Sequence, residues 1–327
     1  MSLPLLSDFQ SLLVVKPSSL GDIVHTLPAV HAIKTAHPHL KIRWIAKPEW
    51  LPLIENAPCV DEAIAFPQKD FRGLGGLAKA ALWAAQWNKM PREEPELVVD
   101  FQGLLRSGLL CLTSGSSPVI GLWDAREGAG RFYDHVVPVD AGAHAVDRYL
   151  AVPQAFGIPA TDAVFTLPAG EAVEVPARFV LVHPFSRGSG KSMGAHELQV
   201  LCDCLTVPVI MVGVNSGPVT VTGKHVTNLT NQTSLHQLIW LMRQAAMVIS
   251  VDSGPMHIAA AVNDATLGLH TWSDPRKVGP YNPKALVWKA GRIASRTDFS
   301  PEECVTDARI TEGDARRIAN FVLQKLG

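Results

Sequence analysis

The sequence predicts an α/β protein made of two doubly wound parallel-sheet domains. Short apolar runs typical of buried parallel strands alternate with stretches of helical periodicity in both halves of the chain. With 327 residues the chain is long enough for two domains of about 150 residues each. Proline, alanine and acidic residues interrupt the periodic pattern near residues 158–176. We therefore expect one Rossmann-like domain over residues 1–165 and a second over residues 166–327.

The first half of the chain begins with a predicted strand, a loop and a helix. The strand covers residues 12–15, and apolar side chains recur at helical spacing after Gly21. Pro28 lacks a backbone donor, so we expect it to kink this helix. Further strands are predicted at residues 42–46 and 63–66 and in the run 97–103, with a helix at about 74–89.

The second half repeats this alternation. Strands are predicted at residues 179–183, 207–212 and 247–251, and helices at 196–205, at 235–245 and from about Pro255. Ligands of such sheets bind beyond the carboxyl ends of the strands. The functional residues are therefore expected just after residues 15, 182 and 251.

Composition and charge exclude several classes of protein. A formal net charge of −1 argues against a nucleic-acid binder that relies on overall attraction. The five scattered cysteines lack zinc-finger spacing, which favours reduced thiols in the cytoplasm. Neither a signal peptide nor an apolar run of membrane-spanning length is found. We expect a cytoplasmic protein, either free or peripheral on the inner face of the cytoplasmic membrane.

The loop between the first strand and the first helix reads Lys16-Pro-Ser-Ser-Leu-Gly-Asp22. A carboxylate at the positive end of a helix is favoured in its ionised form, and it can accept a proton from a sugar hydroxyl. Asp22 is therefore a candidate base, unless it serves only as a helix-start residue. Ser18, Ser19 and Gly21 suggest a loop that lets a ligand approach the backbone.

Two loops of the second half suit an anionic ligand. The segment Ser186-Arg-Gly-Ser-Gly-Lys191 combines glycines, hydroxyls and a lysine, although it does not have the Walker spacing. In the segment 252–257, Pro255 fits the first helical position, so free backbone N–H groups can meet a diphosphate. The alternatives are a flexible polar loop in the first case and a structural role for His257 in the second.

Two further features concern a possible metal ion and the molecule that would accept a transferred group. No Asp-x-Asp metal clamp occurs, so we expect Lys191, Arg187 and helix ends to stabilise a leaving nucleotide. Between residues 67 and 92, Arg72 and other cations interleave with aromatic and leucine residues and with a single aspartate. This segment suits an anionic, lipid-bearing acceptor, or it is an amphipathic helix that packs on its own domain.

The segment KPSSLGDIVHTLPAVHAIKTAHPHLKIRWIAKPEW resembles the opening of the bacterial lipopolysaccharide heptosyltransferases, family 9 of the glycosyltransferases. The similarity is greatest to the first-heptose (heptosyltransferase I) type. The motifs VVDFQGLLRSGLL, AREGAGRFYDHVV, HAVDRYL and VDSGPMHIAAAV follow in the expected order. The resemblance covers roughly residues 12–290.

This resemblance implies a GT-B architecture, in which two Rossmann-like domains face each other across a cleft, and a last helix that often crosses back to the first domain. It implies a metal-independent, inverting transfer of heptose from ADP-heptose to Kdo of a lipid A precursor, in the inner core of lipopolysaccharide. The nucleotide sugar is then a substrate, and we expect neither a cofactor nor a metal site.

The resemblance also assigns roles to individual residues. Asp22 corresponds to the general base. The implied donor-binding residues are Ser186, Arg187, Lys191, Asp252, Ser253, Gly254 and His257. The candidates for acceptor contacts are Ser18, Ser19, Gly21, Arg72, Arg106, Arg126 and His144, with Arg148 as an alternative to His144.

Two departures from the family pattern leave alternatives open. Ser192-Met-Gly stands where Trp-Pro is usual, and residues 214–226 contain no acidic residue for a ribose contact. Another nucleotide sugar, or a nucleotide-sugar epimerase of the same architecture, therefore remains possible as the alternative. The lack of a G-x-G-x-x-G motif disfavours a Rossmann dehydrogenase. The missing export signal disfavours a two-lobed sugar-binding protein.

Overall fold

The computed structural model describes residues 3–73, 75–188, 190–217 and 219–327. The chain divides into two compact units, Met1–Pro168 and Ala169–Gly327. Each unit has one sheet with its own helices, and in each the strands are mainly parallel. In the described part of the chain, no helix has both the length and the apolar character needed to cross a membrane.

Over its described residues the first unit contains a six-stranded parallel sheet in the order β3-β2-β1-β4-β5-β6, which is the Rossmann order. Its strands are β1 (Ser11–Val15), β2 (Lys41–Ala46), β3 (Glu62–Ala65), β4 (Glu96–Asp100), β5 (Val119–Leu122) and β6 (His135–Val137). Its helices are α1 (Leu20–Ala36), α2 (Gly76–Asn88), α3 (Leu105–Ser114) and α4 (Ala145–Ala155). β1 is central and wholly buried, because β2 and β4 flank it and helices cover the sheet.

The sheet of the second unit has the same strand order with one additional antiparallel edge strand. Over the described residues its strands lie in the order β13-β12-β11-β10-β7-β8-β9. The strands are β7 (Val180–His183), β8 (Val209–Met211), β9 (Val226–Asn228), β10 (Met247–Val251), β11 (Thr266–His270), β12 (Leu286–Lys289) and β13 (Arg292–Ala294). The helices are α5 (Ala195–Cys204), α6 (Leu235–Gln244), α7 (Gly254–Val262), α8 (Pro275–Val278), α9 (Pro301–Val305) and α10 (Glu312–Leu326).

The predicted fold class of two parallel α/β units is confirmed, with differences at particular elements. α1 runs from Leu20 to Ala36 with Pro28 inside it, where the apolar spacing predicts a helix, and the kink at Pro28 stays a prediction. α10 packs against α5 within the second unit, and its Ile318 and Val322 belong to the core of that unit. The predicted start of α2 at residue 74 lies outside the described residues. The short strands β5, β6, β9 and β11–β13 were not predicted.

Candidate functional site

In the first unit, the loops beyond the carboxyl ends of β1, β4 and β5 enclose a cavity of about 420 Å³. This is where a doubly wound sheet is expected to bind a ligand. Asp22 and five other charged or hydroxyl-bearing groups make the cavity polar. Its lining residues are Lys16, Asp22, Phe101, Gln102, Gly103, Leu122, Asp124, Arg126, Ala141, Arg148 and Tyr149.

Asp22 lies in the first turn of α1, and Ser19 fixes its carboxylate. The backbone N–H of Ser19 donates to Oδ2 of Asp22 at 3.0 Å, and the Ser19 hydroxyl donates to the same oxygen at 2.6 Å. The helix dipole and these two donors favour the ionised form of the carboxyl group. A half-buried, oriented carboxylate that faces a cavity is a suitable proton acceptor.

Lys16 follows β1 directly and is 2% exposed. Its ammonium donates to the carbonyl oxygen of Phe101 at 2.9 Å and to the Tyr149 hydroxyl oxygen at 2.7 Å. Burial lowers the pKa of Lys16, but Tyr149, Asp22 and Asp100 outweigh burial and raise it above its ordinary value. Burial raises the pKa of Tyr149 as well. Both directions favour the ammonium form of Lys16 and the neutral form of Tyr149 at neutral pH.

The two arginines of the cavity differ in their surroundings. Arg148 forms an ion pair with Asp124. The Arg126 side chain is exposed, and its backbone N–H donates to the Gly103 carbonyl at 2.7 Å. A ligand with a carboxylate or phosphate is therefore well matched to this side of the cavity.

The predicted acceptor residues occupy different environments. Arg126 lines the cavity, and so does Arg148, which was the alternative to His144. His144 itself is 2% exposed and caps α4, where its Nδ1 accepts a hydrogen bond from the Val146 N–H at 3.2 Å. Arg72 and Arg106 are exposed and lie outside the cavity lining.

The loop 18–21 and the loop after β4 touch each other. The backbone N–H of Ser18 donates to Oε1 of Gln102 at 3.1 Å, and Gly21 is buried in α1. Asp100 shapes the second loop by accepting from the N–H groups of Gln102 and Gly103 at 2.8 and 3.1 Å. These contacts hold the loop between β1 and α1, which carries Lys16 and leads to Asp22, against the loop after β4.

The second unit carries a cluster of polar side chains beyond β7, β10 and β11. Lys191 Nζ lies 2.5 Å from Oδ2 of Asp252, and the Ser273 hydroxyl donates to that same oxygen at 2.5 Å. Burial raises the pKa of Asp252, but His270, Lys191 and Ser273 outweigh burial and hold the pKa below its ordinary value. The Lys191 ammonium also lies 4.6 Å from the centre of the Trp272 ring.

The start of α7 supplies backbone donors beside this cluster. Ser253 is the N-cap, Gly254 is the first helical residue, and proline follows at a position that needs no donor. The Ser253 hydroxyl donates to the Val251 carbonyl at 3.1 Å. Proline has no N–H and the Met256 N–H donates to the Ser253 carbonyl at 3.0 Å, so the Gly254 N–H is the donor that this helix start can offer an anion.

The remaining predicted donor residues lie on the loop after β7 and in α7. In the loop after β7, the Ser186 N–H donates to the Ser192 hydroxyl oxygen at 2.9 Å, and Arg187 is exposed. His257 is 8% exposed within α7. Ser189 of the predicted phosphate loop lies outside the described residues. Within the described ranges, no three histidine, cysteine or acidic side chains are grouped as metal ligands.

Several residues of these sites were missed from sequence, namely Lys16, Gln102, Asp124 and Tyr149 in the first unit and His270, Trp272 and Ser273 in the second. One signal was available: Lys16 is a charged residue directly after a wholly apolar run, where burial demands a partner. Tyr149 lies in a helix distant in sequence, so its contact depends on the tertiary fold alone.

The family model described as Glycosyltransferase family 9 (heptosyltransferase) matches residues 83–172 and 198–305. The lipopolysaccharide core heptosyltransferase OpsX of Haemophilus influenzae is 22% identical over 84% of this chain and 82% of its own. Lipopolysaccharide heptosyltransferase 1 of Escherichia coli K12 is 24% identical over 86% of this chain and 93% of its own.

A solved structure shares the fold. The E. coli heptosyltransferase WaaC with ADP matches with a TM-score of 0.75 at 21% identity, over 96% of this chain and 99% of that one. A second structure of WaaC, with ADP-2-deoxy-2-fluoro heptose, matches with a TM-score of 0.73. The predicted fold class, two parallel-sheet domains of the GT-B kind, is confirmed by this match.

Proposed function

The chain belongs to glycosyltransferase family 9, the heptosyltransferases, and on this premise we propose that it moves heptose from ADP-heptose to Kdo in the inner core of lipopolysaccharide. One observation carries the proposal: Asp22 is an oriented carboxylate at a helix start, and it faces a cavity that also contains Lys16, Arg126 and Arg148. A base and a set of cations are thus combined in one site.

The acceptor is assigned to the cavity of the first unit. Its volume of about 420 Å³ is that of a small-molecule site. Kdo carries a carboxylate, and the exposed guanidinium of Arg126 is suited to pair with it. The cations of this cavity therefore favour an anionic sugar over a neutral one, which supports the first-heptose type of reaction.

The donor is assigned to the cluster at the start of α7. WaaC has been solved with ADP and with ADP-2-deoxy-2-fluoro heptose, which supports ADP-heptose as the donor here. The diphosphate is expected to contact Lys191 and the Gly254 N–H at the start of α7, and Arg187 of the loop after β7 is a further candidate contact. Lys191 then contributes a point charge and the helix contributes oriented dipoles.

The reaction is a single displacement. The acceptor hydroxyl oxygen attacks the anomeric carbon of the heptose, its proton passes to Asp22, and the bond from that carbon to the phosphate oxygen breaks. ADP leaves with the bonding electrons, and Lys191 and the positive end of α7 stabilise its charge without a metal ion. This route inverts the anomeric configuration. Activity that persists in EDTA and NMR assignment of the product anomer test the two features.

A peripheral position on an anionic membrane is the third part of the proposal. α2 and α3 contain no acidic residue, and they expose leucines beside cations. Leu77 is 90% and Leu82 is 62% exposed on α2. On α3 the exposed leucines are at helical spacing, namely Leu105, Leu109 and Leu112. The cations of the two helices, Lys79 of α2 and Arg106 of α3, are exposed as well. An apolar face with basic residues suits the surface of an anionic bilayer.

A nucleotide other than ADP is the second candidate, because residues 214–226 contain no acidic side chain for a ribose contact. Thermal unfolding with ADP, UDP and GDP in parallel tests the choice of nucleotide. A ligand at 100 times its dissociation constant stabilises the protein by about 2.7 kcal/mol. We expect ADP to give the largest rise in Tm. A rise with UDP or GDP alone assigns another nucleotide sugar to the site.

Turnover of ADP-heptose with Kdo–lipid A completes the test. We expect ADP release that requires both substrates and a product whose mass increases by one heptose. Consumption of the nucleotide sugar without acceptor indicates an epimerase of the same architecture. The absence of product with ADP-heptose, while ADP binds, contradicts the assigned donor sugar or acceptor.

A further inference from the structure

The contacts of Lys16 leave its charge unbalanced by any direct ion pair in the described part of the chain. Its hydrogen-bond acceptors, the Phe101 carbonyl and the Tyr149 hydroxyl, are both neutral. Burying an ammonium group costs several kcal/mol unless negative charge compensates it. The compensation must come from carboxylates at longer range, and Asp22 and Asp100 are the two that raise the pKa of Lys16.

The two carboxylates differ in how far they can supply this charge. Asp100 accepts hydrogen bonds from the Ser107 and Tyr133 hydroxyls, at 2.7 and 2.8 Å, so its charge is already held by other groups. It is 0% exposed and does not line the cavity. Asp22 is half-buried, faces the same cavity as Lys16, and has two donors on one oxygen. Asp22 is therefore the partner whose ionisation Lys16 most directly favours.

We propose that Lys16, held in place by Tyr149, is a positioning residue that keeps the Asp22 carboxylate ionised and ready to accept the proton of the acceptor hydroxyl. The inference rests on the proposed function, in which Asp22 is the base. It assigns to Lys16 an electrostatic role that acts through Asp22, without contact to the reacting atoms.

Other charges face this pair, and none replaces Lys16. Arg148 is already paired with Asp124 on the adjoining side of the cavity. Arg126 is exposed, so solvent weakens its effect on Asp22. Tyr149 is 4% exposed and stays neutral, since burial raises its pKa. Lys16 is the buried cation of the cavity, and the field of a buried charge is screened least.

The test compares Lys16→Gln with Lys16→Arg. Glutamine keeps N–H donors for Phe101 and Tyr149 but removes the charge, whereas arginine keeps the charge. The measurement is the pH dependence of kcat/KM for transfer, in which activity falls at low pH as the base is protonated. We expect Lys16→Gln to raise the apparent pKa of this acid limb by about one pH unit. Lys16→Arg should leave that pKa near the value of the parent.

The pH profile separates this role from a structural one. If Lys16 acts through ionisation of Asp22, Lys16→Gln loses about tenfold in kcat/KM well below the limb and approaches the activity of Lys16→Arg at high pH. An equal loss at every pH overturns the proposal. Should Lys16→Gln not fold, Lys16→Met, which is also uncharged and similar in length, takes its place in the comparison.

Failure of the inference is distinguishable from failure of the proposed function. Asp22→Asn that is inactive, together with an unmoved acid limb in Lys16→Gln, removes Lys16 from the mechanism and leaves Asp22 as the base. Asp22→Asn that retains turnover removes the base and with it the role of Lys16.

Discussion

Lys191 and Asp252 form an ion pair with 2.5 Å between Nζ and Oδ2 at the carboxyl edge of the second sheet. Both residues were predicted from sequence to contact the donor. The pairing means that Lys191 is held as an oriented cation before any ligand is present. A diphosphate that binds at the start of α7 therefore meets a fixed charge, whose side chain has little rotamer freedom left to lose.

Replacing Lys191 is expected to weaken ADP binding. A hydrogen bond to a charged group contributes about 1.5–3 kcal/mol, so Lys191→Ala should raise the Kd for ADP by about ten- to a hundredfold. Isothermal titration calorimetry measures this change. Lys325→Ala, which removes an exposed lysine of α10 in the same unit, is the control and should leave the Kd unchanged. Equal affinities of Lys191→Ala and the parent exclude the phosphate contact.

The buried Arg43 offers a stability prediction in the first unit. Its side chain is 1% exposed, and it contacts Glu96 and Glu62 at 2.8 Å each. Glu96 is as buried as Arg43, so Glu96→Ala leaves a buried charge with too few partners and should lower the free energy of unfolding by about 3–5 kcal/mol. Glu62 is partly exposed, so water can replace its carboxylate beside Arg43, and Glu62→Ala should cost less than Glu96→Ala. Urea unfolding measures both; similar losses would contradict the distinction.

Two buried histidines predict a loss of stability in acid. Burial lowers the pKa of His183 and of His270 to about 4, from about 6.5 in the unfolded chain. A group that resists protonation when folded contributes stability that is complete above pH 6.5 or so and declines as the pH falls towards 4. Each histidine then contributes up to about 3 kcal/mol to the decline.

Unfolding measured between pH 7 and pH 4 tests this prediction. His183→Asn should reduce the slope of the unfolding free energy against pH by about the contribution of one bound proton. An unfolding free energy that is the same for the parent at pH 7 and pH 4.5 would show that the two rings are protonated as readily in the folded protein as in the unfolded chain.

The apolar face of α2 predicts binding to anionic vesicles. Leu77 and Leu82 point to solvent on a helix without acidic residues. Leu77→Ser combined with Leu82→Ser should reduce co-sedimentation with vesicles that contain anionic phospholipid several-fold, because each exposed leucine loses its apolar contact with the bilayer. Leu5→Ser removes an exposed leucine outside these helices and serves as the control. Equal binding of the double variant and the parent refutes the membrane face.

The strands that form the centre of each sheet were predictable because they are uniformly apolar. β1 and β10 are buried along their whole length, and each is followed by a turn with small residues. β9 and β6 are short and partly exposed, so no apolar run distinguishes them from loops. The position of α10 was also beyond the sequence, since its apolar face does not indicate which unit it contacts.

The site was predictable where a residue follows a central strand and was missed where the fold brings in a distant helix. Asp22 and Lys191 follow β1 and β7, where the sheet topology predicts functional residues, and Asp252, directly after β10, is assigned to the donor site by the family resemblance. Tyr149 reaches the cavity from α4, which no local pattern connects with Lys16. His144 was named from the same motif as Tyr149, but it caps the helix because its ring points back to the backbone of Val146.

The turnover of Asp22→Asn with ADP-heptose and Kdo–lipid A tests the central claim most directly. Asparagine keeps the size of the side chain but cannot take up the proton, so kcat is expected to fall at least a hundredfold. The Kd for ADP should be unchanged, because the donor residues belong to the second unit. Asp8→Asn, at an exposed carboxylate of the same unit, is the control and should retain full activity. Near-parental turnover of Asp22→Asn would contradict the assignment of the base.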